Sequence, residues 1–304
     1  MDMCTCIAFR QKGLYFGRNM DLDYNFGEKI AVTPRSFCLK SIGNKEHLGF
    51  IGVATVIDGY PLYADAMNEK GLCIAGLNFP QKSFYRELMA DKINVPAYEF
   101  TAYVAAKYSS VEEFRDDFGK INITNQAFSE NVPAPTLHWM ISDNLSSIVV
   151  ESTELGINLY ENPLNTMTNL PEFPEHLESF RKMRSEEGSV PEDFPVLLSS
   201  PSRFLRVAHF LGNILPETNS DGAISHVFHV LDTVAVPDVS AKALNGNYHK
   251  TTYSACLDTV NLRYLIRTYE NSAVACAGLT EEALVSSDIS IFEISHKQNY
   301  IYLN

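Results

Sequence analysis

The sequence predicts an α+β protein in which two mainly antiparallel sheets pack together with helices outside. Three observations carry this. Strand-like segments come first, then helices, then strands, helices and strands again, an order that disfavours a simple βαβ parallel sheet. The chain has 304 residues, 45% of them hydrophobic, which is ample for a large buried core. No internal repeat, low-complexity tract or linker interrupts it, so residues 1–304 are expected to form one domain.

The elements follow in order. "CTCIAFR" and "LYFGRNM" flank the polar stretch "QKG", the pattern of a hairpin. "EKIAVTPR", "HLGFIGVATVI", "YPLYADAMN" and "GLCIAGLNF" are rich in β-branched and aromatic residues and predict further strands, with a turn at Asn68–Gly71. "AYEFTAYVAAKY" spaces its apolar residues as a helix does. "SSVEEFRDDFGKI" opens with Ser109 three residues before Glu112, a capping-box pattern. "TLHWMISDNLSSIVVES" reads as a second hairpin turning at Asp143–Asn144, with "INLYENP" and "LNTMTNL" as short strands. "PEHLESFRKMRSEE", "SRFLRVAHFLGNIL" and "AISHVFHVLDTV" read as helices, the first followed by the irregular connection "EEGSVPEDFPVL". "HKTTYSACLD", "LRYLIRTYE" and "ISIFEI" return to strand.

Charged residues make up 20% and aromatics 11%, which excludes a disordered chain. The formal net charge is −13, and the field of such a surface repels nucleic acid and anionic membranes. A local basic pocket still admits a small anionic substrate. No apolar run approaches bilayer length, and no basic-then-apolar leader opens the chain. The six cysteines, Cys4, Cys6, Cys38, Cys73, Cys256 and Cys276, are sparse and often set in apolar runs, so they are expected to be reduced thiols of a cytoplasmic protein.

Two of these thiols stand almost at the start, in "MCTC". Residues two apart on a strand share a face, so Cys4 and Cys6 could approach one metal ion, but the second matched pair of a zinc site is absent. They could equally be core cysteines of a first strand. In a third reading Cys4 becomes the N-terminal residue. Its α-amine, with a pKa near ~8, would then be a base beside its own thiol, giving nucleophile and base in one residue. "GRNMD" strengthens this reading, because Arg18 favours a thiolate and Asp21 can hold an amine.

"MCTCIAF", "YFGRNMD", "VTPR", "PLYADAMNEKGLCIAGLNFP", "LHWMISD", "SIVVES", "MTNLPEF" and "SSPSRFLRVA" occur in an order that resembles the choloylglycine hydrolase family. That family contains bile salt hydrolases and penicillin V acylases and belongs to the N-terminal-nucleophile hydrolases. The resemblance runs from Cys4 essentially to the C-terminus, and its motifs are many and specific. It implies a four-layer αββα sandwich. It also implies that Cys4 is the nucleophile and that Arg18 and Asp21 tune the thiol and orient the amine. By the same resemblance Asn78 and Asn169 bind the oxyanion and position substrate, and Arg203 supports the nucleophile. Cys6 is expected to be packing. No cofactor or metal is implied.

Two departures stand out. Met1-Asp2-Met3 precede Cys4, where most bile salt hydrolases begin Met-Cys, so these residues are expected to be untranslated or removed, leaving a mature chain that starts at Cys4. The stretch between Asn169 and Arg203 is shorter than the one with which many members embrace a neighbouring subunit, which implies a homo-oligomer that is a dimer or a weak tetramer. Asn78 stands where penicillin V acylases tend to carry Tyr, which favours glycine- or taurine-conjugated bile salts over penicillin V. Met20, Leu22, Tyr24, Ile57, Phe79 and Leu137 are candidate walls for such an amphipathic substrate. A catalytically silent lipid-amide binder is the alternative of a different class.

Overall fold

The computed structural model describes all residues except 1–2, 186–196, 216, 218, 239–240 and 243–247. Strands β1 (Met3–Arg10) and β2 (Leu14–Leu22) form the first hairpin, closed by the Gln11 N–H donating to the Gly13 carbonyl at 2.9 Å. Then come β3 (Lys29–Thr33), β4 (Phe50–Ile57), β5 (Tyr60–Tyr63), β6 (Asp65–Asn68), β7 (Cys73–Asn78) and β8 (Ile93–Pro96). Helices α1 (Phe100–Lys107) and α2 (Val111–Asp117) precede β9 (Ile121–Thr124), β10 (Leu137–Ser142), β11 (Ser147–Thr153), β12 (Gly156–Glu161) and β13 (Thr166–Met167). Next are α3 (Phe173–Ser185), α4 (Ser200–Asn213) and α5 (Ser220–Asp232). The chain continues with β14 (Ala241–Lys242), β15 (Tyr248–Asp258), β16 (Arg263–Thr268), β17 (Ala275–Gly278), α6 (Glu281–Leu284) and β18 (Ser290–Phe292).

One antiparallel sheet runs β13-β1-β2-β15-β16-β17, with β14 on β15. The other runs β12-β11-β10-β7-β6-β4-β3-β18, with β5 on β4. The alternation of side chains along a strand assigns them to three separate cores. Cys4, Cys6 and Ala8 of β1 face the interior between the sheets, opposite Val53, Ala75, Leu77 and Met140. Ile7 and Phe9 face outward, against Val207 of α4 and Val227 and Leu231 of α5. On the far side, Ala54, Ile74, Trp139 and Val150 pack against Phe100 and Val104 of α1 and Phe114 of α2. The result is the four-layer αββα sandwich. Each fully buried Ile or Phe contributes about 1.5–3 kcal/mol, so β1, held on both faces, does not fray although it lies at the start of the chain.

The hairpin turns at Asn68–Gly71 and Asp143–Asn144 form as the sequence predicts. Gly71 takes a φ of 84°, and the Asp143 N–H donates to the Ser146 carbonyl at 3.0 Å. Three details differ. "YPLYADAMN" is two strands rather than one, because the ladder breaks at Ala64. There the Asp65 backbone lies so near Gly52 that a Cβ would sit 2.0 Å from the Asp65 oxygen, so only glycine fits. Helix α2 is capped by Ser110, not Ser109. Ser110 Oγ accepts the Glu113 N–H at 3.2 Å, and the Glu113 carboxylate reaches back to the Ser109 N–H at 2.7 Å. Strands β8 and β9 pair in parallel, which the sequence did not suggest. The acidic connection after α3, on which the assembly expectation rests, lies outside the described residues from 186 to 196, as do Met1 and Asp2. Among the described residues no helix is long and apolar enough to cross a membrane.

Candidate active site

The register of the first hairpin sets Cys4 opposite Met20, and Met3 opposite Asp21. Cys4 is buried with its Sγ 3.6 Å from Met20 Sδ and 4.0 Å from Arg18 Nη2. Arg18 is itself buried, and its guanidinium is fixed on several sides. Nη2 donates to the Gly76 carbonyl at 2.7 Å, and Nη1 donates to the Ala64 carbonyl at 2.5 Å and faces Asp65 Oδ2 at 3.3 Å. Asp65 also accepts from the hydroxyls of Tyr253 at 2.9 Å and Tyr264 at 2.7 Å. The break at Ala64 that splits β5 from β6 thus delivers both a carbonyl and a carboxylate to one arginine.

Arg203 enters from the first turn of α4, whose N-cap Ser199 and early Pro201 fix the helix start. Its Nη1 donates to the Cys4 carbonyl at 2.5 Å and to Thr5 Oγ1 at 2.6 Å, and its Nη2 to Asn169 Oδ1 at 2.9 Å. That same Asn169 oxygen accepts the main-chain N–H of Cys4 at 2.7 Å. Asn169 Nδ2 donates to the Asn78 carbonyl at 2.7 Å, and the Asn78 side-chain oxygen accepts from Thr136 Oγ1 at 2.7 Å. Asp21 is fully buried. Its Oδ1 accepts from Thr251 Oγ1 at 2.6 Å, while its Oδ2 has no hydrogen-bond partner among the described residues. Burial pushes Asp21 up to about 6, against the lowering pull of Arg203 and the Thr251 bond. Burial also pushes the Cys4 thiol up. Arg18 opposes this, the Asp21 charge adds to it, and a hydrogen bond from the Asp21 main chain opposes it in turn. Cys6 is pushed well up by burial too and, unlike Cys4, does not line the cavity described next.

Cys4 lies in the wall of a cavity of about 400 Å³ that also takes in Arg18 and Asn78. Met20, Leu22, Tyr24 and Leu137 line it, together with Phe26, Leu62, Tyr98 and Pro133, which the sequence did not single out. Ile57 and Phe79 do not line it. Phe79 is fully buried instead, its ring stacked on His138 at 4.2 Å. A second cavity of about 450 Å³ shares Leu22 and Tyr24 but is walled mainly by polar groups such as Asp23, Glu28 and Lys250, and it excludes Cys4. Asp65, Thr251, Tyr253 and Tyr264 were missed in the sequence. The available signal was the lone acid in the apolar run "YPLYADAMN", which a buried arginine must neutralise.

Residues 4–292 match the family described as linear amide C–N hydrolases, choloylglycine hydrolase family. The chain belongs to the choloylglycine hydrolase family. It is therefore a hydrolase of linear amide C–N bonds. Among its relatives in this family is a bile salt hydrolase/transferase of Lactiplantibacillus plantarum, 34% identical over 99% of this chain and 100% of the relative. A bile salt hydrolase/transferase of Clostridium perfringens is also 34% identical, with the same coverage. The structure of a variant of conjugated bile acid hydrolase from Clostridium perfringens superposes with a TM-score of 0.90 at 31% identity, over 99% of this chain and 100% of that one. Penicillin V acylase from Agrobacterium tumefaciens shares the choloylglycine hydrolase fold, with a TM-score of 0.80 at 22% identity over 98% of this chain and 94% of that one.

Proposed function

We propose that this protein hydrolyses the amide of glycine- or taurine-conjugated bile salts, with Cys4 as nucleophile and its own freed α-amine as base. The observation that carries the reading is the placement of Cys4. Its sulfur lines an apolar-walled cavity, its nitrogen is held by Asn169, and the buried charge of Asp21, paired across the hairpin with Met3, acts on its thiol. The full-length relatives named for bile salts and conjugated bile acids support the substrate class. A rigid amphipathic sterol suits a cavity with Met20, Leu22, Phe26 and Leu137 on its walls together with polar groups such as Arg18, Asn78 and Thr136.

In the chain as described, Met3 is bonded to the Cys4 nitrogen, and a peptide nitrogen is no base. Loss of residues 1–3 turns it into an amine, whose protonated form the unpartnered Asp21 oxygen then pairs. The amine takes the thiol proton, and Sγ attacks the carbonyl carbon. Amide N–H groups of Asn78 and Asn169 meet the oxyanion, each contributing about 3–4 kcal/mol in favourable geometry. Asn169 has an N–H for this beyond the one bound to the Asn78 carbonyl. Collapse breaks the C–N bond. The ammonium gives its proton to the leaving nitrogen, and glycine or taurine departs. Water, deprotonated by the amine, then cleaves the thioester and restores the thiol, releasing the bile acid.

Assays of glycocholate, taurocholate and penicillin V side by side, with Cys4→Ala as control, test this. The reading expects both conjugates to exceed penicillin V in kcat/KM, and a reversed order contradicts it. A cytoplasmic setting belongs to the same reading, supported by the thiols, which are all unpaired. So does assembly as a dimer or dilution-sensitive tetramer, supported by the acidic, proline-bearing stretch from Ser185 to Pro195, which sedimentation velocity over a dilution series tests.

A further inference from the structure

A polar group buried in the inner face of the second sheet has no part in the chemistry above. His138 on β10 and Glu151 on β11 have side-chain exposures of 1% and 0%, and His138 Nδ1 meets Glu151 Oε1 at 3.0 Å. Their strand neighbours two residues away, Met140 and Val149, belong to the core between the sheets, so the pair points at the layer that carries Cys4. A buried ion-forming pair is a poor source of stability compared with apolar side chains of similar size. Its presence here calls for an account in terms of what it holds.

It holds both asparagines of the site. The Glu151 carboxylate accepts the Phe173 N–H with both oxygens, at 3.1 and 3.3 Å, at the start of α3 and four residues after Asn169. From the next turn of that helix, His176 Nε2 binds the Asn169 main-chain carbonyl at 2.9 Å. Burial pushes His176 down to about 4, against the raising effect of that bond, so near neutral pH the ring is uncharged and donates through Nε2. Its ring is stacked at 4.5 Å on Phe204, the residue after Arg203. On the other side, the His138 ring lies parallel to Phe79 at 4.2 Å, and Phe79 follows Asn78 directly. His138 Nδ1 thus shares Glu151 Oε1 with the Phe173 N–H, and among the described residues its buried Nε2 has no partner.

We infer that His138, Glu151 and His176 form a positioning network that fixes Asn169, through the start of α3, and Asn78, through Phe79, against the nucleophile. The inference rests on the reading of Cys4 as that nucleophile. None of the three touches the reacting atoms. Their effect is geometric, and misplacement by about 1 Å at such a site lowers rates by about 100-fold.

Two substitution pairs test this on the chain that starts at Cys4. Glu151→Leu removes both acceptors, while Glu151→Gln keeps one beside Phe173. His176→Phe keeps the stacking on Phe204 and loses only the donor to Asn169, while His176→Gln restores a donor. Expected are a fall in kcat of about 100-fold for Glu151→Leu and His176→Phe with KM changed less than about threefold, and recovery to within about tenfold in the Gln variants. The pH profile of Cys4 alkylation by iodoacetamide should shift in the two damaged variants, because Asn169 holds the Cys4 nitrogen. Folded variants with the kcat and alkylation profile of the parent would overturn the inference. If Glu151→Leu does not fold, His176→Phe decides alone. Failure of the functional reading is distinct, since it appears as absent turnover in the unsubstituted enzyme, and the alkylation profile still judges the network without any substrate.

Discussion

The side-chain oxygen of Asn169 lies 2.7 Å from the main-chain nitrogen of Cys4. Arg203 donates to the same oxygen at 2.9 Å and to the Cys4 carbonyl at 2.5 Å, so one residue is gripped at both its backbone ends, from the loop after β13 and from α4. The grip leaves the sulfur facing the cavity. It also orients the nitrogen lone pair that a chain beginning at Cys4 would have.

Asn169→Ala removes an acceptor for that nitrogen and, under the proposed mechanism, an oxyanion donor as well. We expect kcat to fall by roughly 100-fold or more. Steady-state kinetics check it, and a raised KM at unchanged kcat would demote Asn169 to substrate positioning.

Cys4 and Cys6 share the inner face of β1, yet only Cys4 reaches the cavity. Cys4→Ala should abolish turnover with little change in Tm. Cys6→Ala should keep substantial activity and lose some stability, because it leaves a small void. Activity and melting measured on both variants settle the assignment, and the opposite pattern refutes it.

Asp21 in a chain that retains Met3 gives a pH signature. Its folded pKa is raised to about 6 from 3.8 by burial. A raised carboxyl penalises the folded state only once it ionises. The penalty is absent below about pH 4, grows as pH rises toward 6, and is full above that, at roughly 3 kcal/mol. Asp21→Asn should therefore raise Tm near pH 7.5 and leave it almost unchanged near pH 4. Thermal melts at the two pH values give the answer, and an equal shift at both would contradict the account. In the chain that starts at Cys4, the ammonium offsets the penalty, and the same substitution should cost activity.

Asp65 is the carboxylate partner of the buried Arg18 guanidinium. Asp65→Ala leaves that charge in the sandwich core without its partner and removes the acceptor for two tyrosine hydroxyls. A loss of about 3–5 kcal/mol in chemical denaturation is expected. A loss below about 1 kcal/mol would mean that the two carbonyls on Arg18 suffice.

The sequence made legible what local rules govern. Alternation along "CTCIAF" and "LYFGRNM" placed both thiols on one face, and the turns at Asn68–Gly71 and Asp143–Asn144 followed from their residues. The conjunction of Cys4, Arg18, Asn78, Asn169 and Arg203 followed from the resemblance, not from spacing. What stayed hidden depends on long-range geometry. Asp65 serves Arg18 only because the ladder breaks at Ala64 and tilts its carboxylate across the sandwich. Phe79 looked like a cavity wall because it follows Asn78, but just past the end of β7 it is buried with its ring stacked on His138. Glu151 meets Phe173 only once the start of α3 lies against β11 and β12. The helix α2 cap lies one residue later than the pattern suggested because Ser110 takes the extended conformation at φ −151° and its hydroxyl accepts the Glu113 N–H of the first turn.

The central claim is that Cys4 carries the acyl group only when it begins the chain. The direct measurement is an acid-quenched single turnover with a conjugated bile salt, followed by intact and fragment mass spectrometry. The expected result is a bile-acyl thioester on Cys4, confined to chains that start at Cys4, with none on those that retain Met3. An acyl group on any other residue, or equal labelling of chains that retain Met3, would contradict it.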